Sequence, residues 1–325
     1  MKIGVLLNNF GGFPETGRGA HACIDLAREA ERLGFDSVWV TDHVVLPTDR
    51  RTPYPHNDSG HFPYTWEQEI YEPITLMAAL AEATERVEIG VSVLVIPYRH
   101  PLLTAKMLAT ADQLSDGRIV LGAGVGWLRD EFEALGLPPD HFDRRGAVTM
   151  DALRAIRAAW TADADAWHEG EFFRFEAIGT RPLPRRKPHP PIWIGGQGMR
   201  VLQRTVELGQ GYLAISSTPE ALGRDTTRLR NICDEADRDF DALEIAHIDG
   251  LVLSETAAAA EGATLVGPRA FILDELGRYA ESGLTHLVAG VSRAGEHRYD
   301  RVLEALEEVA AEILPHAHAL GSGAS

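Results

Sequence analysis

Residues 87–127 read VEIGVSVLVIPYRHPLLTAKMLATADQLSDGRIVLGAGVGW and hold two apolar strands, one helix and a polar strand end in a single unit. Val87 to Ile96 is almost uninterrupted apolar and β-branched, the pattern of a parallel strand buried on both faces, where a half-solvated strand would alternate. The run stops at Pro97, and Tyr98, Arg99 and His100 gather at the strand's C-terminal end. Pro101 can open a helix because its missing donor costs nothing in the first turn. Leu103, Met107, Leu108, Ala111 and Leu114 then recur at helical spacing. Asp116-Gly117 breaks that helix, and a second apolar strand from Arg118 to Leu121 runs into Gly122, Gly124 and Gly126 before Trp127.

The strand-then-helix order repeats along the whole chain, which implies a parallel sheet with crossover helices. Eight strands are expected near Ile3 to Leu7, Ser37 to Thr41, Val87 to Ile96, Ile119 to Gly122, Pro191 to Gly195, Tyr212 to Ser216, Glu244 to Leu253 and His286 to Ala289. Amphipathic stretches alternate with them, from Ala20 to Leu33 at one end to Arg301 to Leu314 at the other. Eight of each is the number for a closed (β/α)8 barrel, the TIM-barrel form of the α/β class. A doubly wound dinucleotide fold is disfavoured, since the first strand and turn lack G-x-G-x-x-G. Residues 1–315 are expected to form one such domain. Two long connections, Val44 to Tyr71 after strand two and Thr161 to Pro190 before strand five, are expected as lid insertions over the barrel mouth. Residues 316–325 are small and polar and read as a frayed tail.

A chain of 325 residues with 45% hydrophobic and 24% charged residues is that of an ordinary globular protein. Its formal net charge of -17 opposes binding to nucleic acid or anionic membrane. The two cysteines, Cys23 and Cys233, lie in helix-like segments without C-x-x-C spacing, so reduced core thiols and a cytoplasmic location are expected. The apolar run Ile3 to Leu7 is too short for a signal-peptide core, and no stretch reaches membrane-spanning length.

Asp42-His43 follows the second strand directly, at the end where barrels present catalytic groups. A carboxylate beside an imidazole can accept and donate protons near neutral pH, and a turn cap with a packed histidine accounts for the pair equally well. Gly195, Gly196, Gln197 and Gly198 lie between an apolar strand and a helix start, where backbone donors can approach a phosphate; a plain structural turn stands as the alternative. Gly122, Gly124 and Gly126 leave an open floor below Trp127 that suits a planar ring, or else relieve crowding at a barrel corner. Arg129, Asp130 and Glu131 open a helix, where acids are favoured by the dipole without any ligand. No histidine, cysteine or acidic cluster has metal-ligand spacing, His168-Glu169 lacking a second histidine, and no G-x-S-x-G elbow is present.

Taken together, KIGVLL at the start, GFDSVWVTDH at 34–43, residues 89–127, FEALG, Arg144 to Gly146 and PPIWIGGQG resemble the bacterial luciferase-like flavin monooxygenase superfamily, and more narrowly its branch that uses coenzyme F420. The resemblance implies an isoalloxazine-type ring at the C-terminal mouth and a non-proline cis peptide at Ser92-Val93 behind it. It places Asp42 near the ring, His43 in the catalytic pocket, the phosphate on Gly195 to Gly198, and arginine or lysine side chains on the cofactor's acidic tail. Gly124, Gly126 and Asp130 join the expected cofactor contacts, and Trp39, Tyr64, Trp66, Tyr98 and Trp127 the expected substrate pocket. Trp127 stands where the family's sugar-phosphate dehydrogenases carry an acidic proton donor, and Gln210 replaces the aspartate of the common A-D-G-W run. The function so implied is hydride transfer between F420 and a small, largely apolar organic molecule by a homodimer. The alternatives are an FMN-dependent monooxygenase fed by a partner flavin reductase, and a non-catalytic flavin-binding protein.

Overall fold

The computed structural model describes residues 1–55, 59–215, 217–257, 264–294 and 297–321. The first half runs β1 (Lys2–Leu6), α1 (Ala20–Leu33), β2 (Ser37–Val40), α2 (Pro73–Ala83), β3 (Glu88–Val95), α3 (Pro101–Leu114), β4 (Ile119–Gly124), α4 (Arg129–Ala134) and α5 (Arg145–Thr161). A hairpin of β5 (Ala166–Glu169) and β6 (Arg174–Ile178) follows. The second half runs β7 (Ile192–Gly195), α6 (Met199–Leu208), β8 (Gly211–Ile215), α7 (Pro219–Glu235), β9 (Glu244–Leu253), β10 (Leu265–Gly267), α8 (Arg269–Glu281), β11 (His286–Arg293), α9 (Tyr299–Glu312) and α10 (Leu314–Gly321). The order β1-β2-β3-β4-β7-β8-β9-β11 closes on itself through β11 and β1, with every pairing parallel. This is a closed eight-stranded (β/α)8 barrel, and its strands are the eight read from the sequence; of the expected Tyr212 to Ser216 strand, Ser216 lies outside the described residues.

Side chains of the inner strand faces fill the barrel. Trp39 and Trp193 lie 5.0 Å apart at its centre, with Val120, Leu213, Ala246 and Val288 around them. Two indoles fit because the neighbouring strands carry glycine: a Cβ on Gly90 would collide with Trp39, and one on Gly211 with Trp193. Beneath them, Trp39 Nε1 donates to Ser37 Oγ at 2.7 Å, and Ser37 Oγ lies 2.7 Å from His286 Nε2, so the polar edges of the layer satisfy one another. The outer strand faces, rich in Ile, Val and Leu, pack against the helices in a second, larger apolar cluster.

The two insertions behave differently. Residues 44–55 and 59–71 lie near the upper rim, 56–58 of the first insertion falling outside the described residues, whereas 161–190 lie along the outer helices. The β5–β6 hairpin is clasped by Asp151 of α5, whose carboxylate accepts from Phe172 N at 2.7 Å and Phe173 N at 3.0 Å and meets His168 Nε2 at 2.8 Å. The chain then descends past α3 to the barrel floor, where Arg186 N donates to Asp112 and its guanidinium to Glu88. The expectation that this second insertion covers the mouth is therefore corrected: its turn donors find their acceptor on the side of the barrel. The tail also differs from expectation, since α10 continues to Gly321 with Ala317 buried, and the Met1 amino group donates to Ala317 O at 2.8 Å. Among the described residues no helix is long and apolar enough to cross a membrane.

Candidate functional site

Asn9 sets the upper rim. Its Nδ2 donates to Thr41 O (2.8 Å) and Tyr71 O (3.1 Å), and its Oδ1 accepts from Thr41 N (2.8 Å), so the chain leaves β2 in a fixed direction and the lid's far end is tied to the same point. Asp42 and His43 then reach different partners. Asp42 accepts both arms of Arg99, at 2.8 and 2.9 Å, together with Val95 N at 2.8 Å. Burial pushes the Asp42 carboxyl up, and the Arg99 pair and the Val95 donor pull against it. Arg99 in turn reaches Glu72 at 2.9 Å. With both oxygens engaged, Asp42 braces the end of β3.

His43 Nδ1 lies 2.8 Å from Glu131 Oε2, an acid that the sequence had suggested only as helix support. Glu131 is fully buried and takes three further donors: Tyr98 OH at 2.8 Å on Oε2, and Val44 N at 2.5 Å and Val45 N at 3.1 Å on Oε1. Burial raises a carboxyl, yet the donors from His43, Val44 and Tyr98 win and hold Glu131 below the usual range. Over His43 the first insertion builds an aromatic cap. Phe10, Phe62 and Trp127 stand 5.4, 5.3 and 6.0 Å from its ring, and Tyr54 and Tyr64 close on Phe62 at 5.0 and 5.3 Å. His43 Nε2 has no hydrogen-bond partner among the described residues.

Beside this cap, β3 carries a register irregularity between Val91 and Leu94, and the Ser92-Val93 peptide is cis. The Ser92 hydroxyl is buried without a hydrogen-bond partner among the described residues. Val93 fills the space between β4 and β7: a Cβ on Gly124 would collide with one of its methyls, and a Cβ on Gly195 with the other. Gly126, at φ +79°, is close-packed against Val95 and Phe132, so it serves the turn out of β4. Gly196 and Gly198 have φ of +128° and +88°, conformations that L side chains rarely adopt, and Gly198 faces open space at the start of α6. Gln197 is tied by its Nε2 to Ile215 O at 2.5 Å. Near this turn three arginines crowd together: burial first, then Arg200 and Arg145, hold the Arg204 guanidinium below its ordinary value. Glu207, the nearby acid, bonds Arg154, and Arg145 Nε is buried without a partner among the described residues. A helix start with glycine backbone and three mutually repelling cations has the chemistry that could hold an anion.

Four expected site residues lie elsewhere. Trp39 is inside the barrel, fully buried against Trp193, and is not a pocket wall. Tyr98 stands behind Glu131, its ring on Phe132, and serves the carboxylate instead of the substrate pocket. Trp66 is 54% exposed. Asp130 bonds the lid, accepting from Arg51 Nε (2.8 Å), Thr52 Oγ1 (2.7 Å) and Thr52 N (3.2 Å). Tyr64 and Trp127 do lie in the cap.

The family model of luciferase-like monooxygenases matches residues 1–318. The chain belongs to the luciferase-like monooxygenase family. Among relatives, it is 32% identical over 205 residues to an FMNH2-dependent dimethylsulfone monooxygenase of Pseudomonas putida, a match covering 63% of this chain and 51% of that protein. It is 31% identical over 199 residues to an F420-dependent glucose-6-phosphate dehydrogenase of Amycolatopsis mediterranei, covering 61% and 54%. These matches span about half the length of those curated relatives. The fold is shared with a monooxygenase of Streptomyces bottropensis at TM-score 0.78 and 22% identity, covering 97% of this chain and 99% of that one. It is also shared with an F420-dependent secondary alcohol dehydrogenase at 0.77 and 19%, covering 97% and 98%. The two curated relatives of this luciferase-like protein are thus named for different cofactors, one for FMNH2 and one for F420.

Proposed function

We propose that this luciferase-like protein uses coenzyme F420 to move a hydride to or from a small, largely apolar organic substrate, with His43 handling the accompanying proton. The observation that carries the reading is the placement of a histidine with one free ring nitrogen under an aromatic cap. Beside it lie an orphaned hydroxyl and a glycine-flanked floor. The residues present fit a phosphate-bearing tricyclic cofactor. Val93, framed by Gly124 and Gly195, would face the ring, the Ser92 hydroxyl would find its missing partner there, and Gly195 to Gly198 with Arg145, Arg200 and Arg204 would hold the phosphate and acidic tail.

When bound, the cofactor supplies the two-electron step; the protein supplies position and proton transfer. His43 Nε2 takes the proton of a substrate hydroxyl or returns one to a carbonyl oxygen. Phe10, Phe62, Tyr54 and Trp127 exclude water and offer apolar walls to a neutral substrate. Sugar-phosphate substrates are disfavoured, because where the resembling enzymes carry an acidic proton donor this chain has Trp127, whose indole does not supply that proton.

Separate titration of the purified protein with F420 and FMN tests this. F420 is expected to bind and to exchange hydride with neutral alcohols or ketones. Binding of FMN alone, with oxygen-dependent turnover in the presence of a flavin reductase, overturns the assignment in favour of the monooxygenase chemistry of the dimethylsulfone relative. Bound cofactor with no exchange across the substrate panel favours a non-catalytic flavin-binding role.

The working unit is proposed to be a homodimer paired through α2 and α3. Helix α3 buries Thr104, Ala105, Leu108 and Ala109 inward, and it also shows Leu103 and Leu114 outward, 54% and 44% exposed. Lys106 and Gln113 of the same helix bond the 180–183 segment, so these two exposed leucines are the apolar contacts that a second copy would cover.

A further inference from the structure

Glu131 holds four donors on two oxygens, and the division between them is unequal in kind. Oε1 receives two backbone N–H groups, from Val44 and Val45, which can only donate. Oε2 receives Tyr98 OH and the Nδ1 edge of His43. We infer that Glu131 is the positioning residue that fixes the tautomer of His43, keeping the proton on Nδ1 and presenting the Nε2 lone pair to the substrate. The inference rests on the proposed role of His43 and deepens it.

An ionised carboxylate has no proton to give, so a neutral imidazole 2.8 Å away must donate from Nδ1. The other charged or titratable groups packed around the pair do not compete for this edge. Asp42 is committed to Arg99, Arg99 also to Glu72, and Tyr98 points its hydroxyl at Glu131 itself. On the cap side, the phenols of Tyr54 and Tyr64 are pushed up by burial, and Arg50 lies over Phe62 at 5.4 Å. Glu131 arrives from the first turn of α4, where the carboxylate would be stabilised with no histidine at all. The dual use explains why an acid at this place reads as plain helix support.

The replacement Glu131→Gln separates the two ends of the group. Val44 and Val45 both need an acceptor, so the amide oxygen stays with them and the NH2 turns toward His43 and Tyr98. Nδ1 must then accept, and the ring proton moves to Nε2, where it blocks proton uptake from substrate. Nitrogen-15 NMR of the cofactor-free protein, with His43 assigned by comparison with His43→Asn, reads this directly. The wild type is expected to carry Nδ1–H, Glu131→Gln to invert the pattern, and Tyr98→Phe to leave it unchanged. In the F420 assay Glu131→Gln is expected to lose about 10²- to 10⁴-fold in kcat with KM nearly constant. A wild-type ring protonated on Nε2, or a folded Gln variant with an unchanged pattern, overturns the inference. A protein that shows the inversion but never turns over F420 overturns the functional proposal alone.

Discussion

Asp42 and Glu131 are buried carboxylates on one rim, and their surroundings assign them different work. Asp42 faces a bidentate guanidinium and a backbone donor, which engage both of its oxygens; Glu131 faces an imidazole whose other nitrogen is free. Sequence could mark the Asp42-His43 dipeptide because it directly follows an apolar strand. It could not pair His43 with Glu131, which lies 88 positions away and meets it only after the barrel closes. Gly195 gives a test at this scale. Gly195→Ala puts a methyl into Val93, so F420 affinity is expected to fall by roughly tenfold or more, beside an overpacking cost of about 1–3 kcal/mol in stability. Unchanged affinity would remove Val93 from the ring site. At the barrel floor, burial pushes the His286 imidazole down to about 3. Between that value and about 6.5 the unfolded chain binds a proton that the folded one refuses. The stabilisation is therefore complete above about pH 6.5 and is lost as pH falls toward 3, by up to about 1.4 kcal/mol per unit. Urea midpoints measured from pH 7 to pH 4 should fall more steeply in the wild type than in His286→Gln, and parallel curves would contradict it.

The elements that carry the site differ in how plainly the chain announces them. The barrel strands are continuous apolar runs, and tight turns such as Asp116-Gly117, both at positive φ, end the helices between them. The β5–β6 hairpin is short, and its residues are mostly polar or aromatic; its clasp, Asp151, sits mid-helix with no local cue. A similar long-range clasp holds the lid, where Asp130 of α4 takes Arg51 and Thr52. Asp130→Ala is expected to raise KM by roughly tenfold, the equivalent of about 1.4 kcal/mol of lost latch, and to speed amide exchange across 44–55, with the barrel strands still protected. Exchange that speeds equally in β1 to β4 would show that Asp130 stabilises the whole fold instead.

Across the whole molecule, the helices form a shell, and α3 exposes Leu103 and Leu114 on it. If that face pairs two copies, Leu103→Glu with Leu114→Glu should convert a dimer to a monomer in sedimentation equilibrium while F420 binding persists; a wild type that sediments as a monomer would refute the pairing. The barrel, its eight staves, the glycine turn before α6 and the histidine at the mouth were all written locally, because strand burial, turn chemistry and helix starts depend on neighbours within a few residues. The side of β2 on which Trp39 lies was not, since a strand buried on both faces is apolar throughout and does not show which face turns inward. Nor was the pairing of Glu131 with His43, the seat of Asp130 on the lid, or the course of the second insertion along the outer helices. Those depend on closure of the sheet, which alone brings distant donors to buried acceptors and makes leaving them unpaired costly.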